Sequence, residues 1–249
     1  SATLPNMTSG LARSIFYYND RIYIGTQYMS CPSCPPYQNN EFHIYDVSNP
    51  GAPDWQGSFN VNHNVNDIAV RGDYAYLATS ADDKEIIILN IKDPDNISEV
   101  GVFNAKDTDT ASVAEDATSL YLLGDKLYFG RKRAPSSRPD FYVININDPK
   151  NPTLVSSKNL GMPTGGAVIP RVVGIVVKNN LAFISLSTPI YGFRIVDVSL
   201  PALPDHTTCS TINFGENSTA LDMNKDFIFI ARSMGNEIQV IGDQTGTCP

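Results

Sequence analysis

A strand–turn–strand pattern recurs along the whole chain and constrains its fold more than any other feature. In the copy over Val65–Thr79, Gly72 and Asp73 separate two short apolar runs, as expected for a tight β-hairpin. The pattern recurs along the chain, and one copy occupies roughly 50 residues. This period indicates an array of similar small units that stack on one another. The hairpin turns begin at Asn19, Gly72, Gly124, Asn179 and Lys225.

A third apolar run follows each hairpin, as at Phe42–Val47, and a proline turn ends it in the first four copies. Proline cannot donate a hydrogen bond to a ladder, so these turns separate strands. A fourth, more polar run follows, as at Trp55–Phe59, and no helical periodicity is sustained. Four antiparallel strands per unit predict an all-β, five-bladed β-propeller. We predict one domain over residues 1–249, with blades at 11–59, 65–103, 117–157, 172–212 and 218–241.

The fifth copy is one strand short of the others. Its third run ends at Ile241, and only the turn-like segment 242–249 follows. An unpaired strand edge invites association, so we predict that residues 1–9 supply the missing outer strand of blade 5. They do so either within the same chain, which closes a monomer, or in a neighbouring molecule, which builds a polymer.

Two copies of the third strand and its turn read FHIYDVSNP at Phe42–Pro50 and FRIVDVSLP at Phe193–Pro201. They resemble the LVIVD-repeat family of bacterial and archaeal extracellular β-propellers, whose repeat ends in an apolar strand and then Asp-Val-Ser-x-Pro. The second and third copies have Asn90 and Asn145 where the Asp would stand. We interpret the repeated Asp or Asn as a turn cap, because these side chains bond their own backbone two residues on. The resemblance implies the fold and a surface location, and it implies little about function.

Four cysteines allow three disulfide pairings, and we predict Cys31–Cys34 and Cys209–Cys248. The second pair would tie the last blade to its neighbour. A Cys-x-x-Cys motif also occurs in redox and zinc sites. Redox motifs usually open a helix, whereas prolines and polar residues flank this one, and zinc would need further ligands. Disulfides favour an oxidising compartment.

The charge and the apolar runs of the sequence limit the cellular location that we predict and the classes of partner that the protein could bind. A net charge of −8 argues against nucleic acid, because an acidic surface repels phosphates. No run of 18 apolar residues is present, so we predict no transmembrane segment. With the predicted disulfides, glycosylation sequons are compatible with an extracellular or cell-surface location. The candidate glycosylated residues are Asn6, Asn96 and Asn217.

Long connections are predicted on one face of the propeller and short turns on the other, an asymmetry typical of a binding surface. Clustered cations on one loop would bind an acidic glycan or a partner carboxylate, or would simply face water. Tyrosines near the Cys-x-x-Cys loop would stack on sugar rings or cover their own loop. The binding candidates are Tyr28, Tyr37, Arg131, Lys132, Arg133 and Arg138.

One acidic stretch offers oxygen ligands that suit calcium, although it lacks the spacing of an EF-hand loop. The candidate ligands are Asp107, Asp109, Glu115 and Asp116. The alternative interpretation is a solvated acidic loop. We predict no other cofactor.

Catalysis has little support in the sequence. The three histidines, His43, His63 and His206, fall in different parts of the repeat, and no hydrolase motif is present. The first hypothesis is a non-enzymatic surface protein for adhesion, recognition or assembly, with a protein or glycan partner and with a filament subunit as a specific form. The alternative is a propeller hydrolase or lyase acting on extracellular carbohydrate, since one fold hosts many functions.

Overall fold

The structure is a computed structural model. It describes residues 4, 11–29, 39–105, 115–132, 138–162, 170–188, 192–199, 208–212, 215, 217–225, 227–233 and 238–241. Among these residues, no helix is long and apolar enough to cross a membrane.

Nineteen strands lie within the described residues, and they form five antiparallel sheets in the sequence order expected for blades. Blade 1 comprises β1 (Ala12–Tyr18), β2 (Arg21–Thr26), β3 (Phe42–Asp46) and β4 (Asp54–Phe59). Blade 2 comprises β5 (Val65–Arg71), β6 (Tyr74–Thr79), β7 (Ile86–Asn90) and β8 (Ser98–Phe103). Blade 3 comprises β9 (Ala117–Leu123), β10 (Lys126–Arg131), β11 (Phe141–Asn145) and β12 (Thr153–Lys158).

Blade 4 comprises β13 (Val172–Lys178), β14 (Leu181–Leu186), β15 (Phe193–Asp197) and β16 (Thr208–Ile212). Blade 5 comprises β17 (Ser218–Asn224), β18 (Phe227–Arg232) and β19 (Ile238–Ile241). The prediction of an all-β, five-bladed β-propeller is confirmed, with boundaries close to those expected from the repeat. Apart from Leu4, residues 1–9 lie outside the described part, so the completion of blade 5 by this segment stays a prediction.

The chain divides into two compact units. One unit is Ser1–Lys106 with Asp148–Pro152, and the other is Asp107–Asn147 with Thr153–Pro249. Blades 1 and 2 belong to the first unit, and the strands of blades 3, 4 and 5 belong to the second. The single domain predicted for residues 1–249 stays a prediction.

Tight turns join the first two strands of each blade, and their residue types suit a left-handed backbone. Asn19 and Asp20 have φ angles of 50° and 55°, and Gly72 has a φ angle of 57°. Asn, Asp and Gly reach this region at low cost, which matches the two-residue hairpin turn predicted from the sequence.

The repeated Asp or Asn caps the turn after the third strand, as predicted. The Oδ1 atom of Asp46 accepts hydrogen bonds from the backbone N–H and the hydroxyl of Ser48 at 2.8 and 2.6 Å. These bonds lower the pKa of the exposed Asp46 carboxyl group. Asn90, Asn145 and Asp197 each accept from the N–H two residues on, at 3.0, 2.8 and 2.8 Å. Asparagine therefore replaces aspartate without loss of the cap, which explains the departures in blades 2 and 3.

Two glycines in outer strands allow a neighbouring turn to approach closely. A Cβ atom on Gly57 would overlap the carbonyl oxygen of Pro94, and one on Gly101 would overlap the carbonyl oxygen of Pro149. Each contact lies within the first unit and joins an outer strand to the proline turn of the following blade. The missing side chain is thus a packing requirement at these two positions.

We predict that Gly57→Ala and Gly101→Ala each lower the free energy of unfolding by about 2–3 kcal/mol, since the added methyl group must displace rigid backbone. Gly51→Ala is the matched control, because its Cβ would lie an ordinary 3.4 Å from the Oδ1 atom of Asn49. Urea denaturation followed by circular dichroism measures all three variants. Equal stability of Gly51→Ala and Gly57→Ala would contradict the close approach.

Candidate functional site

Neighbouring blades of the first unit pack through five apolar positions. Tyr23, Phe42 and Ile44, on β2 and β3 of blade 1, form one cluster with Ile68 and Val70 on β5 of blade 2. All five side chains are buried. The earlier blade thus contributes three residues and the first strand of the later blade contributes two.

The second unit repeats this contact at the same positions of the repeat, as judged from the cross-strand pairs. The shared feature is again three residues from strands 2 and 3 of one blade against two residues of the next blade's first strand. Between blades 3 and 4 they are Tyr128, Phe141, Val143, Ile175 and Val177. Between blades 4 and 5 they are Phe183, Phe193, Ile195, Leu221 and Met223.

Blade 5 carries the same three positions, and their side chains are exposed. Phe229 pairs with Asp222 and Val240, just as Phe183 pairs with Val176 and Ile195 one blade earlier. Phe229, Ile238 and Val240 are 37%, 64% and 47% exposed, whereas their counterparts in blade 4 are buried. We name these three residues the blade-5 face.

Blade 1 carries the two complementary positions, and their side chains are also exposed. Ile15 and Tyr17 on β1 correspond to Leu221 and Met223 on β17. They are 67% and 62% exposed, whereas Ile175 and Val177, their counterparts in blade 4, are buried. We name Ile15 and Tyr17 the blade-1 face.

Charges and hydrogen bonds border the two faces. Asp222 is exposed and stands opposite Phe229 in the ladder, so it shares the side of the sheet on which the blade-5 face lies. Arg13 is exposed two residues before Ile15. The Tyr17 hydroxyl donates to the Oδ1 atom of Asp20 at 2.9 Å, and this hydrogen bond raises the pKa of the tyrosine.

Buried carboxylates recur immediately before the third strand, and the sequence analysis assigned them no role. Glu41 accepts hydrogen bonds from the N–H groups of Val61 and Asn62 at 2.8 and 2.9 Å. Glu85 accepts from Ala105 at 3.1 Å, and Asp140 from Leu160 at 3.2 Å. Each bond holds the segment that leaves the outer strand, so these carboxylates are structural. Burial raises the pKa of Glu41, partly offset by the two N–H donors.

His43 is buried on β3 and belongs to no group of catalytic residues among those that the structure describes. Its Nε2 atom donates to the carbonyl oxygen of Asn40 at 2.8 Å. Its buried Nδ1 atom has no hydrogen-bond partner in the described part of the chain. Burial lowers the pKa of the imidazole, because protonation would place a charge in the interior.

We predict that protonation of His43 destabilises the fold below the ordinary histidine pKa of about 6.5. The unfolded state binds the proton more readily, so the stabilisation is present above about pH 6.5 and falls as the pH drops toward the lowered folded-state pKa. Between pH 7.5 and pH 5.5, the melting temperature of the native chain should fall further than that of His43→Gln. Equal losses in the two proteins would show that His43 does not contribute.

An ion-pair network joins Arg131, Arg138 and Glu115, which the sequence analysis named as binding or calcium candidates. Arg131 ends β10 and is fully buried, so it is not part of an exposed binding loop. It pairs with Glu115, and its guanidinium group lies 5.1 Å from the ring centre of Tyr142. Arg138 donates to the second carboxylate oxygen of Glu115 at 3.0 Å. These arginines are held inside the second unit.

The network also bears on the calcium hypothesis. Both oxygens of Glu115 contact arginine, which gives this carboxylate a role other than that of a free metal ligand. Asp116 lies 3.9 Å from the Nζ atom of Lys132, whose side chain is partly exposed. Asp107 and Asp109 lie outside the described residues, so calcium binding stays a prediction.

The other sequence candidates are dispersed. Tyr28 is 42% exposed, and its backbone N–H donates to the Oδ1 atom of Asn64 at 2.9 Å. Asn96 is exposed at the end of a 3₁₀ helix, where its amide donates to Asp93 at 2.6 Å, and Asn217 is partly buried. Cys209 lies in β16, and its side chain is not described. Tyr37, Arg133, Asn6, Cys31, Cys34 and Cys248 lie outside the described residues.

Comparisons with known proteins agree with the architecture. The LVIVD repeat model matches residues 37–61 and 63–105, which include β3 and β4 of blade 1 and all of blade 2. No curated protein matches the sequence.

Three solved structures share the fold. A crystal structure of the computationally designed Ika8 protein is 9% identical with a TM-score of 0.55, over 97% of this chain and 74% of that one. A nidogen/laminin complex is 10% identical with a TM-score of 0.59, over 94% and 76%. Saccharomyces cerevisiae Sqt1 is 13% identical with a TM-score of 0.62, over 92% and 56%. These identities support similarity of fold alone, and the family model identifies LVIVD repeats in residues 37–61 and 63–105.

Proposed function

We propose that this chain is a non-enzymatic extracellular or cell-surface protein that acts in adhesion, recognition or assembly. The observation that supports this proposal is the exposure of apolar side chains on the blade-1 and blade-5 faces. Both faces consist of positions that are buried or partly buried at the blade contacts within each unit.

Exposed apolar positions of this kind favour a protein contact. Single exposed apolar residues are common, but adjacent ones on one side of a sheet are typical of interaction surfaces. Ile238 and Val240 are two residues apart on β19, and Val240 pairs with Phe229 on β18. The three side chains therefore project from one side of the sheet as neighbours.

The buried polar groups support a structural role over catalysis. Glu41, Glu85 and Asp140 accept backbone hydrogen bonds, and Glu115 is held between two arginines. A carbohydrate hydrolase needs carboxyl groups directed at its substrate. Within the described residues, each of these four buried carboxylates is instead engaged by the protein.

The extracellular part of the proposal rests on the cysteines and predicts that all four are oxidised. Alkylation of the denatured chain without reductant should add no mass, and alkylation after reduction should modify four residues. Peptide mapping should recover Cys31–Cys34 and Cys209–Cys248. Complete alkylation without reductant, in protein produced in its own cell, would contradict an oxidising compartment.

Light scattering at increasing protein concentration tests association of the full chain. The average mass should rise with concentration, and more steeply in ammonium sulfate, which strengthens the burial of apolar surface. A constant monomer mass at every concentration and salt condition would overturn association through these exposed apolar side chains.

A further inference from the structure

We propose that Lys132 and Arg171, which we name the basic pair, bind the carboxylate groups of an acidic glycan. This inference deepens the proposed function and rests on it, since it names a ligand class for recognition outside the cell. The pair lies in the second unit, at the end of blades 3 and 4 where the long connections begin.

The backbone places the two cations side by side. Lys132 follows β10, Arg171 precedes β13, and the two residues form an isolated antiparallel bridge. Residues opposite each other in such a bridge direct their side chains to the same side, with Cβ atoms about 4.5–5.5 Å apart. The Lys132 side chain is 33% exposed, and Arg171 is exposed. The basic pair is therefore accessible to a ligand.

Hydrogen bonds hold the backbone of both residues in place. The N–H group of Lys132 donates to the carbonyl oxygen of Asp116 at 2.9 Å. The N–H group of Arg171 donates to the Oγ atom of Ser187, and the carbonyl oxygen of Arg171 accepts from the N–H group of Ser187, both at 2.9 Å. A ligand at the basic pair would therefore have to order side chains and not backbone, which lowers the entropic cost of binding.

The two like charges stand opposite each other with little compensation, an arrangement that destabilises paired strands. Asp116 lies 3.9 Å from the Nζ atom of Lys132, which is too far for a hydrogen bond. Among the described residues, no carboxylate forms an ion pair with the guanidinium group of Arg171. A carboxylate ligand would offset the repulsion, because guanidinium binds both oxygens of a carboxylate and ammonium adds a further charged donor.

The surrounding charge also favours an anion. Within the described residues at this end of blades 3 and 4, cations outnumber carboxylates, although the whole chain has a net charge of −8. Charges of one sign gathered in one place attract and orient a ligand of the opposite sign. The cations are Arg131, Lys132, Arg138, Lys158, Arg171 and Arg194, and the carboxylates are Glu115, Asp116 and Asp140.

The surface around the basic pair suits a glycan better than a protein. In the described parts of blades 3 and 4, the exposed large apolar side chains are Leu123 and Leu154. Leu123 ends β9 and Leu154 is the second residue of β12, so both lie near the short turns at the opposite end of blade 3. A protein partner usually buries apolar or aromatic anchors at the centre of its interface, and the basic pair has none beside it.

Titration calorimetry with oligogalacturonate tests the site. The native chain should bind this carboxylate-bearing sugar, and Lys132→Gln/Arg171→Gln should bind at least about tenfold more weakly, because two charge-assisted contacts are lost. Sodium chloride should weaken the binding of the native chain by screening these contacts. Equal binding by the native chain and the double variant would overturn the assignment.

Lys92→Gln/Lys150→Gln is the matched control. Lys92 and Lys150 are exposed on the proline turns of blades 2 and 3, away from the basic pair. This variant loses the same two charges and should bind oligogalacturonate like the native chain. Thermal melts establish that both double variants are folded. A tenfold loss in this control would show that binding depends on net charge and not on the basic pair.

Lysine acetylation locates the glycan on the native chain without any substitution. Peptide mapping after brief treatment with an acetylating reagent should show less modification of Lys132 when oligogalacturonate is present. Lys92 and Lys150 should be modified equally with and without the sugar. If Lys132 is not protected in a sample that binds the sugar, the glycan lies elsewhere and the proposed site is wrong.

Two further ligands test the chemistry of recognition. Methyl-esterified oligogalacturonate keeps the sugar backbone without its charges and should not bind. Polyglutamate should bind more weakly than oligogalacturonate, because its flexible chain loses more entropy on binding. Equal binding of the esterified sugar would overturn the role of charge, and tighter binding of polyglutamate would replace the glycan with an acidic protein segment.

The outcome for the glycan is separable from the outcome for the proposed function. If oligogalacturonate does not bind at low salt to a chain whose cysteines are oxidised and whose average mass rises with concentration, the acidic-glycan site is overturned and the proposed function stands. Reduced cysteines in protein from its own cell would instead remove the extracellular location on which the inference rests.

Discussion

Replacement of Glu115 by glutamine should lower the free energy of unfolding by about 3–5 kcal/mol, because it leaves a buried arginine without its counter-charge. Arg131 is fully buried and pairs with Glu115, while Arg138 contacts the other carboxylate oxygen. Glutamine retains the size of glutamate, so the loss reports charge and not volume. Urea denaturation followed by circular dichroism measures the change.

The exposed pair Lys84–Glu99 provides the matched control. Its side chains are 38% and 33% exposed and 2.9 Å apart, and Glu99→Gln should cost less than about 1 kcal/mol. The double variant Glu115→Gln/Arg131→Met should be more stable than the sum of the two single changes predicts, because it removes both the charge and its partner. A cost for Glu115→Gln no larger than that of Glu99→Gln would show that the network contributes little.

The sequence alone was sufficient for the repeating architecture, because local chemistry determines it. The tight hairpin turns require a left-handed backbone, which Asn and Gly adopt at low cost. A proline after the third strand cannot continue the ladder, so the strand ends there. The capping role of Asp46 and Asn90 also followed from the side chain itself, since an Asx turn involves only residues two apart.

The position of Arg131 could not be predicted from the sequence. Four cations within residues 131–138 suggested an exposed loop, since charge runs usually face water. In the structure Arg131 is the last residue of β10, pairs with Ala117 on β9 and is fully buried. Its burial depends on residues that are distant in the sequence, which the local run of cations does not reveal. Glu115 lies sixteen residues before Arg131 in the chain and gave no local signal.

The uncovered faces were equally hidden from sequence reasoning. Ile15 and Ile68 are the same residue type at the same position of the repeat, yet one is 67% exposed and the other is buried. The hydrophobicity of a side chain indicates that it can be buried, but it does not show whether a neighbouring element covers it. In the sequence, the fifth copy differed from the others only by its missing fourth strand. That difference predicted an unpaired strand edge, and it did not predict exposed apolar side chains on one side of the sheet.

Phe193→Ala should cost about 3–5 kcal/mol of folding free energy, whereas Ile238→Ala at the equivalent position of blade 5 should cost less than about 1 kcal/mol in the monomer. Phe193 is fully buried between blades 4 and 5, and its truncation leaves a cavity. Ile238 is 64% exposed, so its truncation removes few contacts.

The same pair of variants separates folding from association. Ile238→Ala should weaken self-association while leaving the unfolding transition of the dilute chain in place, because the Ile238 side chain is exposed in the free chain and would be buried only on association. Phe193→Ala should lower stability at every concentration, and its association should change only as far as the folded fraction does. If Ile238→Ala is as destabilising as Phe193→Ala at concentrations where the chain is monomeric, the blade-5 face is already covered in the free chain. That result would show that Ile238 belongs to the core of a single propeller and not to a surface used in association.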